Sequence, residues 1–122
     1  MLKYILTFIG AGLGGSLRLF ISANINKIFP VYFPNGTLVV NTLGSFLLGA
    51  IIFGLDENKV LSSELKIFLT IGFCGGFTTF STFSLETINL LKNAEFLLGG
   101  LNIILSLILC LGSVYLAYII FR

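Results

Sequence analysis

Long uncharged, mostly apolar runs alternate with short charged clusters along the chain. No Asp, Glu, Lys or Arg occurs from Ile28 to Leu55, a run of about 28 residues, or from Phe96 to Phe121, about 26. A third run covers Ile67 to Leu85, about 19 residues, and a first, Tyr4 to Ile25, is interrupted only by Arg18. Each is near or above the roughly 20 residues that carry a helix across hydrocarbon. The pattern predicts four spans at about 3–24, 34–55, 65–92 and 96–121. In lipid every backbone N–H and C=O must be paired internally, so the spans are predicted to be helices. A barrel would need strands alternating with period two, and that alternation is absent. The predicted connections are short and polar. Pro30, Pro34 and Asn35 lie in the first, Asp56 to Lys59 in the second and Lys92 to Glu95 in the third, with Ser62, Ser63 and Glu64 as a helix start.

Composition agrees with this division. The chain is 57% hydrophobic and 10% charged, with a mean hydropathy of +1.08. Soluble domains carry roughly 25% charged residues, so the apolar surplus faces something other than water. The opening residues resemble a signal peptide. The apolar stretch runs past Gly15 and three more spans follow, which favours a first membrane span. Cys74 and Cys110 fall inside spans and read as small packing residues. There is no His, and acids are few, which argues against hydrolytic or metal-dependent catalysis. The chain reads as a single four-helix transmembrane domain over 1–122 and not as an enzyme.

Positive charge barely distinguishes the two ends of the bundle. Lys3, Lys59, Lys66 and Arg122 flank one side, and Arg18, Lys27 and Lys92 the other, four against three. Orientation normally follows the Lys/Arg bias of the loops. With so little bias the chain is open to insertion in both orientations, or to one orientation set by a few positions such as Lys59 and Lys66. Polar residues on the spans need shelter from lipid, which four short helices do not easily provide. If both orientations occur, an antiparallel two-fold dimer is the simplest closed assembly.

Several polar positions carry the candidate chemistry. Gly10, Gly12 and Gly15 formally match a dinucleotide-binding glycine pattern, but the next acid is Asp56, so close helix packing is the better reading. Thr37, Asn41, Ser45 and Gly49 recur every four residues and share a helix face. Interhelical packing explains most of that row. Asn41 is more telling, because its carboxamide brings two N–H donors to that depth. The third span holds Gly72, Gly75 and Gly76, then Thr78, Thr79, Ser81 and Thr82 with Phe80 and Phe83 between them. These are poor helix formers at mid-span. Either a packed kink or a break lining a site fits, and a break would free carbonyl oxygens suited to a hard cation such as Na⁺. The rims of Phe80 and Phe83 carry positive charge and could touch a dehydrated anion, with hydroxyls of Thr79, Ser81 and Thr82 as further donors. Otherwise these rings are ordinary core or lipid-facing residues. Asn102, Ser106, Cys110 and Ser113 form a polar stripe on the fourth span, read as packing glue or as a path. Arg18 either snorkels to an interface or attracts anions at a pore mouth. Glu86 is an intramembrane carboxylate or a capping, ion-paired one.

The stretches Gly14 to Arg18, Gly36 to Phe46, and Gly72 to Ser84 with Glu86 resemble the CrcB/Fluc fluoride channel family over the whole four-span chain. The resemblance implies an all-α, antiparallel, dual-topology homodimer in the plasma membrane, with a third helix broken mid-span. It implies two fluoride pores and passive efflux of F⁻, which protects a cell that HF enters from acid surroundings. It also implies a central structural Na⁺ on the backbone carbonyls of Gly75 and Thr78. Phe80 and Phe83 would line the fluoride path, Asn41 would donate to the ion, and Arg18 would sit toward a vestibule. Asn102, Ser106 and Cys110 would continue the path.

Other classes fit less well. A small multidrug transporter needs a central carboxylate, and the first span has no Asp or Glu. A passive scaffold does not explain hydroxyls beside paired Phe, and a membrane enzyme lacks a nucleophile–base pair.

Overall fold

A computed structural model of the chain describes residues 1–29 and 32–122. Pro30 of the predicted first connection lies outside them. Four helices are long and apolar enough to cross a membrane: α1 (Leu2–Ile28), α2 (Asn35–Asp56), α3 (Ser63–Lys92) and α4 (Phe96–Phe121). The predicted spans coincide with these within two residues at most ends. α1 runs four residues further than its predicted end, because Lys27 sits in the last turn, where a cation suits the helix dipole.

Local chemistry fixes the ends. At the start of α2, the Asn26 Oδ1 accepts from the Gly36 N–H at 3.1 Å, so α1 caps its neighbour. α2 finishes in a wider π-type stretch, Ile51–Asp56. The Glu57 N–H donates to the Ile52 carbonyl, the Asn58 side chain donates to the Gly54 carbonyl, and Lys59 takes the left-handed conformation at φ 56°. Lys66 and Asp56 pair across the connection at 3.0 Å. The Ser62 Oγ accepts from the Leu65 N–H at 3.2 Å, the predicted N-cap of α3. After α3, the Glu95 N–H reaches the Leu90 carbonyl at 2.8 Å, with Ala94 left-handed at φ 60°. That is a Schellman-type close formed without glycine.

Small residues set the helix crossings. A Cβ on Gly14 would strike the Phe73 carbonyl oxygen, and one on Gly76 would strike the Ala11 carbonyl oxygen. α1 and the first half of α3 therefore meet backbone to backbone, as small residues permit in membranes. Gly10 belongs to the same seam, whereas Gly12 has open space beside it. α2 lies along α4, where Gly49 faces Ala117. Among the described residues only Val40, Ile51, Cys74, Phe77 and Ala117 are buried apolar ones. Most large apolar side chains point outward, as lipid or a second chain requires.

Candidate functional site

Thr78 and Thr79 interrupt the helical dihedrals of α3. Residues 75–77 are helical, Thr78 is extended at φ −93° and ψ 159°, Thr79 at φ −151° and ψ 114°, and helix resumes over Phe80–Lys92. α2 accommodates this extended pair in two ways. Gly44 leaves room for the Thr78 methyl, which any Cβ there would strike. One turn before it, Asn41 meets the Thr79 backbone with both ends of its carboxamide. Its Oδ1 accepts from the Thr79 N–H at 2.8 Å, and its Nδ2 donates to the Thr79 carbonyl at 3.1 Å. The side chain thus replaces a peptide partner that the helix would otherwise supply.

Thr79 also starts the second half. Its Oγ1 accepts from the Thr82 N–H at 3.1 Å, a helix N-cap. The same hydroxyl donates to the Thr82 Oγ1 at 3.1 Å and lies 3.2 Å from the Ser81 Oγ. The Thr78 hydroxyl donates back to the Cys74 carbonyl at 2.9 Å. The protons of Thr78 and Thr79 are therefore engaged within the chain. No hydrogen bond among the described residues reaches the carbonyl oxygens of Gly75, Phe77 or Thr78.

A cleft of about 360 Å³ opens beside the extended pair. It brings together Asn41, Gly75, Thr78, Thr79, Phe80, Phe83, Ser106 and Cys110, together with Ser45 and Cys74. The Phe80 and Phe83 rings lie 5.4 Å apart between centroids, tilted by 48°. Phe80 is 78% exposed, so no described residue covers its outer side. The Ser45 and Ser106 hydroxyls have no hydrogen-bond partner among the described residues and remain free to donate into the cleft.

Other predicted positions lie elsewhere. Asn102 is buried, and its Nδ2 donates to the Thr87 Oγ1 at 2.9 Å. Thr87 in turn donates to the Phe83 carbonyl at 2.8 Å, so Asn102 ties α4 to the second half of α3. Thr87 carried no sequence signal, being one hydroxyl among many. The Ser81 and Thr82 side chains belong to the N-cap cluster. Arg18 donates from Nε to the Gly76 carbonyl at 3.0 Å. Glu86 borders a second cleft of about 320 Å³ with Tyr32, Asn89, Asn93 and Glu95. The Glu86 Oε1 is buried without a hydrogen bond among the described residues.

The model of the family described as CrcB-like protein, Camphor Resistance (CrcB) matches residues 5–118. The chain belongs to the CrcB family. Among its relatives, a Campylobacter jejuni protein named fluoride-specific ion channel FluC is 47% identical over 113 residues, 93% of this chain and 92% of the relative. A Pyrococcus abyssi protein of the same name is 45% identical over 120 residues, 97% of this chain and 94% of the relative. A third, from Methylocella silvestris, is 38% identical over 121 residues. The CrcB match spans α1 to α4, so the extended pair, Asn41 and the two Phe all lie within it. A family whose members bear a channel name needs a path through protein, and the cleft is lined by residues from three of the four helices.

Proposed function

We propose that this protein is a fluoride-selective channel that lets F⁻ leave the cell passively across the plasma membrane. The observation that carries the reading is the cleft in which the Phe80 and Phe83 rings, the Asn41 carboxamide and the free Ser45 and Ser106 hydroxyls converge beside the extended pair. Fluoride is small and strongly hydrated, so a path must replace its lost water. Hydrogen bonds to an ion are shorter and stronger than neutral ones. Asn41 uses Oδ1 and one N–H on Thr79, and its second N–H remains for the ion. The phenyl rims complete the shell, and a narrow lining of fixed donors disfavours larger chloride. Cys110 extends the proposed path along the cleft, with Ser81, Thr82 and Asn102 bracing its wall and Glu86 near it.

The working unit is an antiparallel, dual-topology homodimer with two pores. The near-even basic charge at the two ends supports it, as do the outward apolar faces and the uncovered Phe80. A second copy would close the cleft. The carbonyls of Gly75 and Thr78 suit a structural Na⁺ at the dimer centre, since neither oxygen has a hydrogen-bond partner among the described residues. Bound there, Na⁺ would supply positive charge that steadies the interrupted backbone.

The test is efflux from liposomes bearing the purified protein. Rapid fluoride efflux with chloride retained is expected. Phe80→Ile should strongly reduce it while the dimer stays assembled. Equal fluoride and chloride efflux, or none of either, would overturn the reading.

A further inference from the structure

We infer that Arg18 is a positioning residue, which holds the extended pair in α3 by capping the helical half before it through the Gly76 carbonyl. The inference rests on the fluoride-channel reading for its functional consequence, but not for the cap itself.

The first half of α3 makes its last helical bond from the Thr78 N–H to the Cys74 carbonyl at 3.0 Å. Beyond it the chain is extended, so the carbonyls of residues 75–77 find no amide one turn later. Such a helix end is tolerated inside a membrane only if other groups take the oxygens. Arg18 takes one of them, through Nε at 3.0 Å. A cation there also complements the negative end of the helix dipole.

Helix α1 delivers this contact by construction. Gly14 and Arg18 are four apart and share a face, and Gly14 is the point where α1 touches the Phe73 backbone. The Arg18 side chain leans back over the preceding turn, as helical side chains do. Gly15 borders the same contact: a Cβ there would sit in ordinary van der Waals contact, 3.8 Å from the Gly76 oxygen and 3.9 Å from the Arg18 Nη2. No acid neutralises Arg18, since the salt bridge among the described residues is Lys66 with Asp56. The guanidinium is thus committed to backbone rather than to a carboxylate.

A role through Nε and a role through charge are separable. Arg18→Gln places an N–H donor at the same point along the side chain as Nε and removes the charge. Arg18→Lys keeps the charge and loses the donor at that point, and Arg18→Leu loses both. The measurements are fluoride efflux from liposomes and amide hydrogen exchange over 76–80 in the purified dimer. The expected result is near-wild-type efflux and protection for Gln. For Lys and Leu, both should fall by about tenfold or more, as loss of a charged hydrogen bond implies. Full efflux in Lys with loss in Gln would overturn the inference, as would unchanged protection in Leu. Should Leu fail to assemble, the contrast between Gln and Lys decides. Exchange reads the cap without any ion, so failure of the fluoride reading would leave that arm intact and be recognised separately by silent wild-type vesicles.

Discussion

Inside the spans, hydroxyl groups divide into those tied to their own helix and those left free. Thr42, Thr70, Thr78, Ser84 and Thr87 each donate to the carbonyl four residues back, which satisfies the proton locally. Ser45 and Ser106 do not, and both face the cleft. Sequence spacing places all of them on helix faces but does not reveal which protons are engaged. Asn41 shows the same limit of sequence reading. Its donors at depth mark it as special, yet its partner is Thr79, 38 positions away. Asn41→Ala removes both bonds to Thr79 and should destabilise the fold by about 1–3 kcal/mol, from two half-buried backbone groups left unpaired. Ser106→Ala leaves nothing unpaired and should change stability by less than about 0.5 kcal/mol while slowing fluoride efflux. Thermal unfolding in detergent, paired with efflux, checks both; equal stability loss in the two variants would contradict the assignment.

Helices α1 to α4 were legible because charge clusters mark their ends and apolar runs their length. The glycine row in α1 was legible only as packing. The structure divides it, since Gly14 faces the α3 backbone while Gly12 faces nothing within 4 Å. That division depends on where α3 crosses, which no local pattern encodes. Gly76→Ala should therefore push α1 away and destabilise the protein by about 1–3 kcal/mol, an overpacking effect. Gly12→Ala should be neutral or stabilising by up to about 1 kcal/mol, through helix propensity. Unfolding midpoints of the two variants separate these outcomes. The stretch Gly72 to Ser84 drew attention through its poor helix formers, but its Arg18 and Asn41 partners come from other helices.

A single chain buries few apolar side chains and leaves its cleft open on the Phe80 side. The proposed antiparallel dimer follows from this and from the weak charge bias. A Glu57→Cys variant, which keeps every Lys and Arg, tests the dual orientation. About half of its copies should react with a membrane-impermeant thiol reagent from outside intact cells, and the rest only after permeabilisation; labelling confined to one side would contradict dual insertion. Sodium is tested by removal. Exchange of Na⁺ for a large organic cation should slow fluoride efflux, and efflux indifferent to it would count against the Gly75 and Thr78 carbonyls as its ligands. The most direct measurement is electrical, with the reconstituted protein placed between unequal fluoride and equal chloride concentrations. The account predicts current that reverses at the fluoride equilibrium potential and shifts with fluoride alone. Reversal that follows chloride, or a membrane that stays silent, would contradict it.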